Sequence, residues 1–162
     1  MTRIAVRSFN NILSLIVTVG FVAFALPVAA QEAAPATLTI HVRSVAPEGV
    51  VRLGLYTEAQ YPDDDSTPVM SADVPAVGGE TIITLKNVPV GVYAIEVFQD
   101  LNSNGKMDTN FLGLPREPYG FSRDAHPRLS KPDFSRVKFE VAAGQNDQSL
   151  HLQNTMSLVA SN

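Results

Sequence analysis

From residue 37 onward the apolar side chains recur at every second position, and no segment behind residue 36 carries a helical period. In TLTIHVR, Leu38, Ile40 and Val42 fall on one side, and Thr37, Thr39, His41 and Arg43 fall on the other. An extended chain turns successive side chains to opposite faces, so this spacing predicts a half-buried strand. VVRLGLY repeats it with Val51, Leu53 and Leu55. PVMSADVP reads as an edge strand, because its flanking prolines cannot donate to a ladder. ETIITLKNV and VYAIEVFQD follow, the second with Tyr93, Ile95 and Val97 on one face and Ala94, Glu96 and Phe98 on the other. RVKFEVAAG points Val137, Phe139 and Val141 inward, and QSLHLQN does so with Leu150 and Leu152. Short strands separated by turn residues predict an all-β fold. We expect a single antiparallel sandwich of about seven strands, immunoglobulin- or prealbumin-like, spanning residues 37–154 with one long irregular loop. A closed barrel is the alternative.

The first thirty residues have a different character. Arg3 and Arg7 precede an apolar run from Ile12 to Leu26, and Pro27 and Val28-Ala29-Ala30 end it. That order predicts a secretory signal peptide over residues 1–30, with an uncleaved anchor as the alternative. Residues 31–36 read as a flexible leader and residues 155–162 as a tail. The protein is therefore expected in the periplasm or outside the cell, with no membrane span once the signal is gone. Cleavage leaves 132 of the 162 residues, one domain's worth. Without Arg3 and Arg7, ten basic residues face sixteen acidic ones, a net charge of −6. Such a surface repels phosphate backbones, so nucleic acid is not expected as a partner. Cysteine is absent. That excludes disulfides, thiolate ligands, a cysteine nucleophile and a lipid-modified cysteine behind the signal.

The stretch DLNSNGKMD, Asp100 to Asp108, places oxygen-bearing side chains at alternate positions. Calcium takes six to eight oxygen ligands, and a short loop can present them from every second residue. With Asp100 as position one, Asn102 and Asn104 occupy positions three and five, Gly105 the sharp turn at six, Lys106 the backbone carbonyl at seven and Asp108 position nine. Position twelve is Phe111 instead of a bidentate glutamate, and the loop leaves a strand instead of a helix. A further ligand would come from Glu117, Asp124 or water. Two carboxylates imply weak affinity, with Kd on the order of 10⁻⁴ to 10⁻³ M. The competing reading is a metal-free turn, because Asn-Gly favours a tight hairpin and Asx side chains bond to their own backbone.

The residues that follow resemble a family signature. DLNSNGKMDTNFLGLPREPYGFSRDA is similar to the D-x-N-x-N-G-K-x-D and G-x-P-x-E-x-Y-G-F-S pattern of small exported bacterial proteins grouped as a domain of unknown function. Gly113, Pro115, Glu117, Tyr119, Gly120, Phe121 and Ser122 carry the second half. GVVRLGLYTEAQYP, NVPVGVYAIEVFQD and PDFSRVKFEV extend the resemblance over most of the chain behind residue 30. Gln99, Pro118 and Arg123 stand where the family often has histidine, glycine and asparagine. The Pro-x-Gly-x-Tyr turn is also similar to prealbumin-like and carboxypeptidase-regulatory-like sandwiches. The resemblance implies a fold and no activity.

Other side chains invite functional readings. Leu114, Tyr119 and Phe121 either plug one end of the sandwich or, with Arg116, Glu117 and Arg123, form a ligand platform on which Tyr119 or Phe121 stacks. Ser122, Asp124 and His126 have the residue types of a hydrolase triad, but no G-x-S-x-G elbow accompanies them. His41 and His151 are expected to face solvent, and Glu96 to face water or a base across the sheet. Asp63, Asp64 and Asp65 read as a solvated acidic loop before a second cation site. The expected function is a non-enzymatic exported module, calcium-stabilised, that binds a partner in the cell envelope. The alternatives are a metal-free accessory domain and, remotely, a hydrolase.

Overall fold

The computed structural model describes residues 35–127 and 130–154. The expected signal peptide, most of the leader and the tail from residue 155 lie outside the described residues. Among the described residues eight strands form: β1 Ala36–Val45, β2 Val50–Tyr56, β3 Met70–Pro75, β4 Gly79–Val88, β5 Gly91–Asp100, β6 Tyr119–Phe121, β7 Phe139–Val141 and β8 Gln145–His151. A short helix, α1, spans Phe134–Val137, so Val137 closes a helical turn before the strand that was expected to contain it. No described helix is long and apolar enough to cross a membrane.

Two sheets face each other, one ordered β4-β1-β8 and the other β3-β2-β5-β6 with β7 also paired to β5. The alternating positions carry the core between them. Leu38 and Ile40 of β1 stand opposite Leu85 and Ile83 of β4. Leu53 and Leu55 of β2 stand opposite Val97 and Ile95 of β5. All eight are buried in one cluster with Tyr93, Val141 and Leu150. Each such side chain contributes roughly 1.5–3 kcal/mol by leaving water. The fold is the expected all-β sandwich, with one difference in pairing: β8 runs parallel to β1. Alternation decides which face a side chain takes and is silent about which strand lies alongside.

β5 is buried on both faces. Its second face, led by Ala94, packs into another cluster with Tyr61, Tyr119, Phe121, Ala125, Phe134 and Val137. The long stretch after β5 therefore folds back over the sheet. Ser122 fastens it there: its buried Oγ accepts from Ile95 N at 3.0 Å and donates to Val137 O at 2.6 Å. The Pro-x-Gly-x-Tyr turn closes when the Tyr93 hydroxyl donates to Pro89 O at 3.0 Å. Gln99 is fully buried at the far end of β5. Its side chain accepts from Ala46 N at 3.0 Å and donates to the carbonyls of Ala46 and Glu48 at 2.8 and 2.6 Å. That ties the β1–β2 turn to the start of the polar loop.

Candidate functional site

The polar loop begins where β5 ends. Asp100 is 0% exposed. Its Oδ1 accepts from Asn104 N at 3.1 Å, and its Oδ2 accepts from Gly105 N at 2.8 Å and Arg52 Nε at 2.8 Å. Arg52 sits on β2, between β3 and β5, and also pairs with Asp73 of β3. Asn102 Oδ1 accepts from Asn104 N at 3.1 Å and Asn104 Oδ1 from Lys106 N at 3.0 Å, two successive Asx turns. Both amide groups then donate to Asp108, Asn102 Nδ2 to Oδ2 at 2.7 Å and Asn104 Nδ2 to Oδ1 at 3.0 Å. Gly105 takes φ +86°, a left-handed conformation that glycine adopts without steric cost.

Glu117 supplies the brace. It is 4% exposed. Oε1 accepts from Leu101 N at 2.9 Å and Oε2 from Asp108 N at 3.0 Å. One carboxylate thus spans both ends of the loop. Asp124, the other candidate for an extra ligand, lies elsewhere. It accepts from His151 N at 2.7 Å and contacts His151 Nδ1 at 3.0 Å, so His151 has a partner besides solvent.

Asp100, Asn102, Asn104 and Asp108 therefore share one network, Lys106 contributes its backbone, and Glu117 serves the loop backbone. Among the described residues no three acidic or imidazole groups form an ion cage. The donor chemistry nevertheless suits calcium: two carboxylates, two amide oxygens and the Lys106 carbonyl, each with acceptor capacity left over. Arg52 is the opposing influence, a fixed positive charge at Asp100 that repels a second cation.

Burial pushes the Asp100 carboxyl up, but the bonds from Arg52, Gly105 N–H and Asn104 N–H outweigh it and hold it below its ordinary value. A depressed carboxyl favours the fold above its unfolded pKa, and that share of stability is lost as pH falls through the folded value. Urea denaturation should thus show stability falling below about pH 4. Asp100→Asn should be less stable at pH 7 and should lose much of this acid-side slope.

The platform residues separate. Tyr119 and Phe121 are 9% and 8% exposed, with ring centroids 6.0 Å apart in an edge arrangement. Neither offers a free face for stacking. Arg116 and Arg123 are exposed. Arg123 sits at φ 62°, a left-handed conformation in which asparagine is more at ease than arginine. Leu114 is 43% exposed and plugs nothing. It belongs with Phe111 and Leu112, at 94% and 66%, on one exposed tip.

Ser122 spends its hydroxyl on backbone, while His126 Nδ1 lies 2.7 Å from Gln153 Oε1 and Asp124 bonds to His151. The three residue types of a triad thus have separate partners. Glu96 lies 2.5 Å from Lys131 Nζ, a base supplied by the covering segment instead of a neighbouring strand. Lys131 also reaches Asp64 at 2.8 Å and stands 4.4 Å from the Tyr61 ring centre. Asp63 and Asp65 are exposed, as is Asp64. The cleft beside Lys131, lined by Tyr61, Pro62 and Phe134, is about 220 Å³, small for a ligand pocket. His41 and Arg43 share Glu80 across β1 and β4 at 3.3 and 3.2 Å, pairs too exposed to contribute much.

Fold and loop together define a β-sandwich domain whose polar loop is pinned by buried carboxylates. The chain belongs to the family described as an uncharacterized protein conserved in bacteria (DUF2141), which matches residues 40–149. No curated protein and no solved structure matches it.

Proposed function

We propose that this chain is an exported, non-catalytic β-sandwich module of the bacterial cell envelope, in the periplasm or outside it. It holds a rigid polar loop toward a binding partner, and the loop takes calcium weakly through Asp100, Asn102, Asn104, the Lys106 carbonyl and Asp108. One observation carries the reading: Asp100 and Glu117, two buried carboxylates, turn their oxygens onto the backbone of residues 101–108. A buried charge costs stability unless it is fully bonded. Two of them committed to one loop mark a shape worth keeping. Calcium, when bound, offsets repulsion between the carboxylates and lowers the entropy of the loop before a partner arrives.

Calcium titration with thermal melting tests this. With Kd near 10⁻³ M, 10 mM ion stabilises the fold by about 1.4 kcal/mol and raises Tm by roughly 5 °C. Asp108→Asn, which keeps the side chain's shape and removes its charge, should abolish the rise. A flat titration would favour the metal-free accessory domain. Arg52 supports that second reading, since it already supplies a positive charge to Asp100 at 2.8 Å.

A further inference from the structure

Residues 109–115 close as a hairpin at the Thr109–Pro115 bridge. Its apolar side chains point away from the core: Phe111, Leu112 and Leu114 are all exposed. Single exposed apolar residues are ordinary, but three within four positions on one tip are not. The backbone of the tip is bonded inward. Asn110 N donates to Leu114 O at 2.9 Å and Gly113 N to Asn110 O at 2.9 Å. Asn110 Oδ1 accepts from Leu112 N at 2.9 Å and Leu114 N at 3.1 Å. Pro115 has no N–H to satisfy. No acidic residue lies between Asp108 and Glu117, and Lys106 and Arg116 are exposed at the base.

From these features we infer that the tip docks on a lipid bilayer surface. Phe111, Leu112 and Leu114 enter the boundary between headgroups and acyl chains, and Lys106 and Arg116 remain among the phosphates. The inference deepens the envelope-module reading by naming its partner, and rests on that reading for a compartment beside a membrane. It does not depend on calcium. Acyl chains offer no hydrogen bonds, so a segment that reaches them is favoured when its amides are already paired. Four amides of this tip are paired in that way, those of Asn110, Leu112, Gly113 and Leu114. A hairpin meant to add a strand to a partner sheet would keep its amides free. The net charge of −6 behind residue 30 opposes general adsorption to anionic lipid, which confines attraction to the acid-free tip. Three side chains bury about as much apolar surface as one acyl chain, so binding is reversible, on the order of 10⁻⁴ M in lipid.

The chain contains no tryptophan, so Phe111→Trp places a single reporter at the tip. Its emission should shift to the blue when vesicles of phosphatidylethanolamine and phosphatidylglycerol are added, and a quencher carried on the acyl chains should dim it. The double variant Phe111→Ser/Leu112→Ser should float with vesicles about tenfold less than the parent or worse. Its melting temperature should not change, because both side chains are exposed. Parent and variant share the same N-terminal segment, so their difference isolates the tip. An F111W signal indifferent to millimolar lipid, or a double variant that floats as well as the parent, overturns the inference. A groove in a protein partner would then be the remaining occupant. Running each arm in calcium and in chelator separates the two proposals. A calcium-dependent Tm without vesicle binding removes only the lipid surface, and vesicle binding without a calcium effect removes only the ion.

Discussion

Gly49→Ala is expected to lower stability by about 4 kcal/mol. Gly49 lies between β1 and β2 at φ +76°. A Cβ there would sit 2.1 Å from Asp100 O and 2.8 Å from Leu101 Cα. These are backbone atoms at the root of the polar loop, and they cannot rotate away. The strain of a left-handed alanine adds roughly 1–2 kcal/mol and the overlap a further ~1–3. Gly79 provides the control. It has φ +90° and nothing within 4 Å of its Cβ direction. Gly79→Ala should therefore lose only the conformational part. Urea denaturation of both variants yields the clash by difference. Equal losses would mean that Asp100 and Leu101 give way easily, and that the turn does not hold the loop.

Glu117→Ala is the second large effect, about 2–3 kcal/mol. Truncation leaves the Leu101 and Asp108 amides without their acceptor, and an unpaired N–H in a dry site costs ~1–3 kcal/mol. Glu117→Gln keeps one oxygen and turns an NH2 group toward one of the two donors, so it should recover less than half of the loss. Hydrogen exchange supplies a readout specific to the brace. The amides of Leu101 and Asp108 should exchange faster in both variants, while those of β2 and β5 follow global stability alone. Slow exchange at Leu101 and Asp108 in Glu117→Ala would show that the loop holds itself closed without Glu117.

Much of this fold was legible because period-two patterning is a direct imprint of burial. The buried set of β1, β2, β4 and β5 falls on the alternating positions, with Leu38, Leu53, Leu85 and Ile95 as examples. β6 was not legible. Tyr119-Gly120-Phe121 is three residues long and all three are buried, so nothing alternates. The polar loop was visible from its spacing, including the turn at Gly105. Its wiring was not. In VVRLGLY the alternation puts Arg52 on the face opposite Val51, Leu53 and Leu55, and only the pairing of Val50 with Asp100 brings its guanidinium to that carboxylate. Glu117 was picked out as an oxygen donor, but composition cannot say whether a carboxylate will meet an ion or a peptide N–H. Leu114 misled for a related reason. It is hydrophobic, and only the pairing of Thr109 with Pro115 turns it outward.

The parallel pairing of β1 with β8 sets the order in which the molecule can be completed. Asn146 reaches back to Thr37 O across 109 positions, so the middle strand of its sheet waits for a partner made long after it. A nascent polypeptide that has delivered everything through β7 still presents one side of β1 as a ladder of unpaired amides and carbonyls, the kind of edge on which chains aggregate. Closure late in the chain also means slow, non-local folding. A polypeptide of this topology keeps that edge open until β8 is free to seal the sheet.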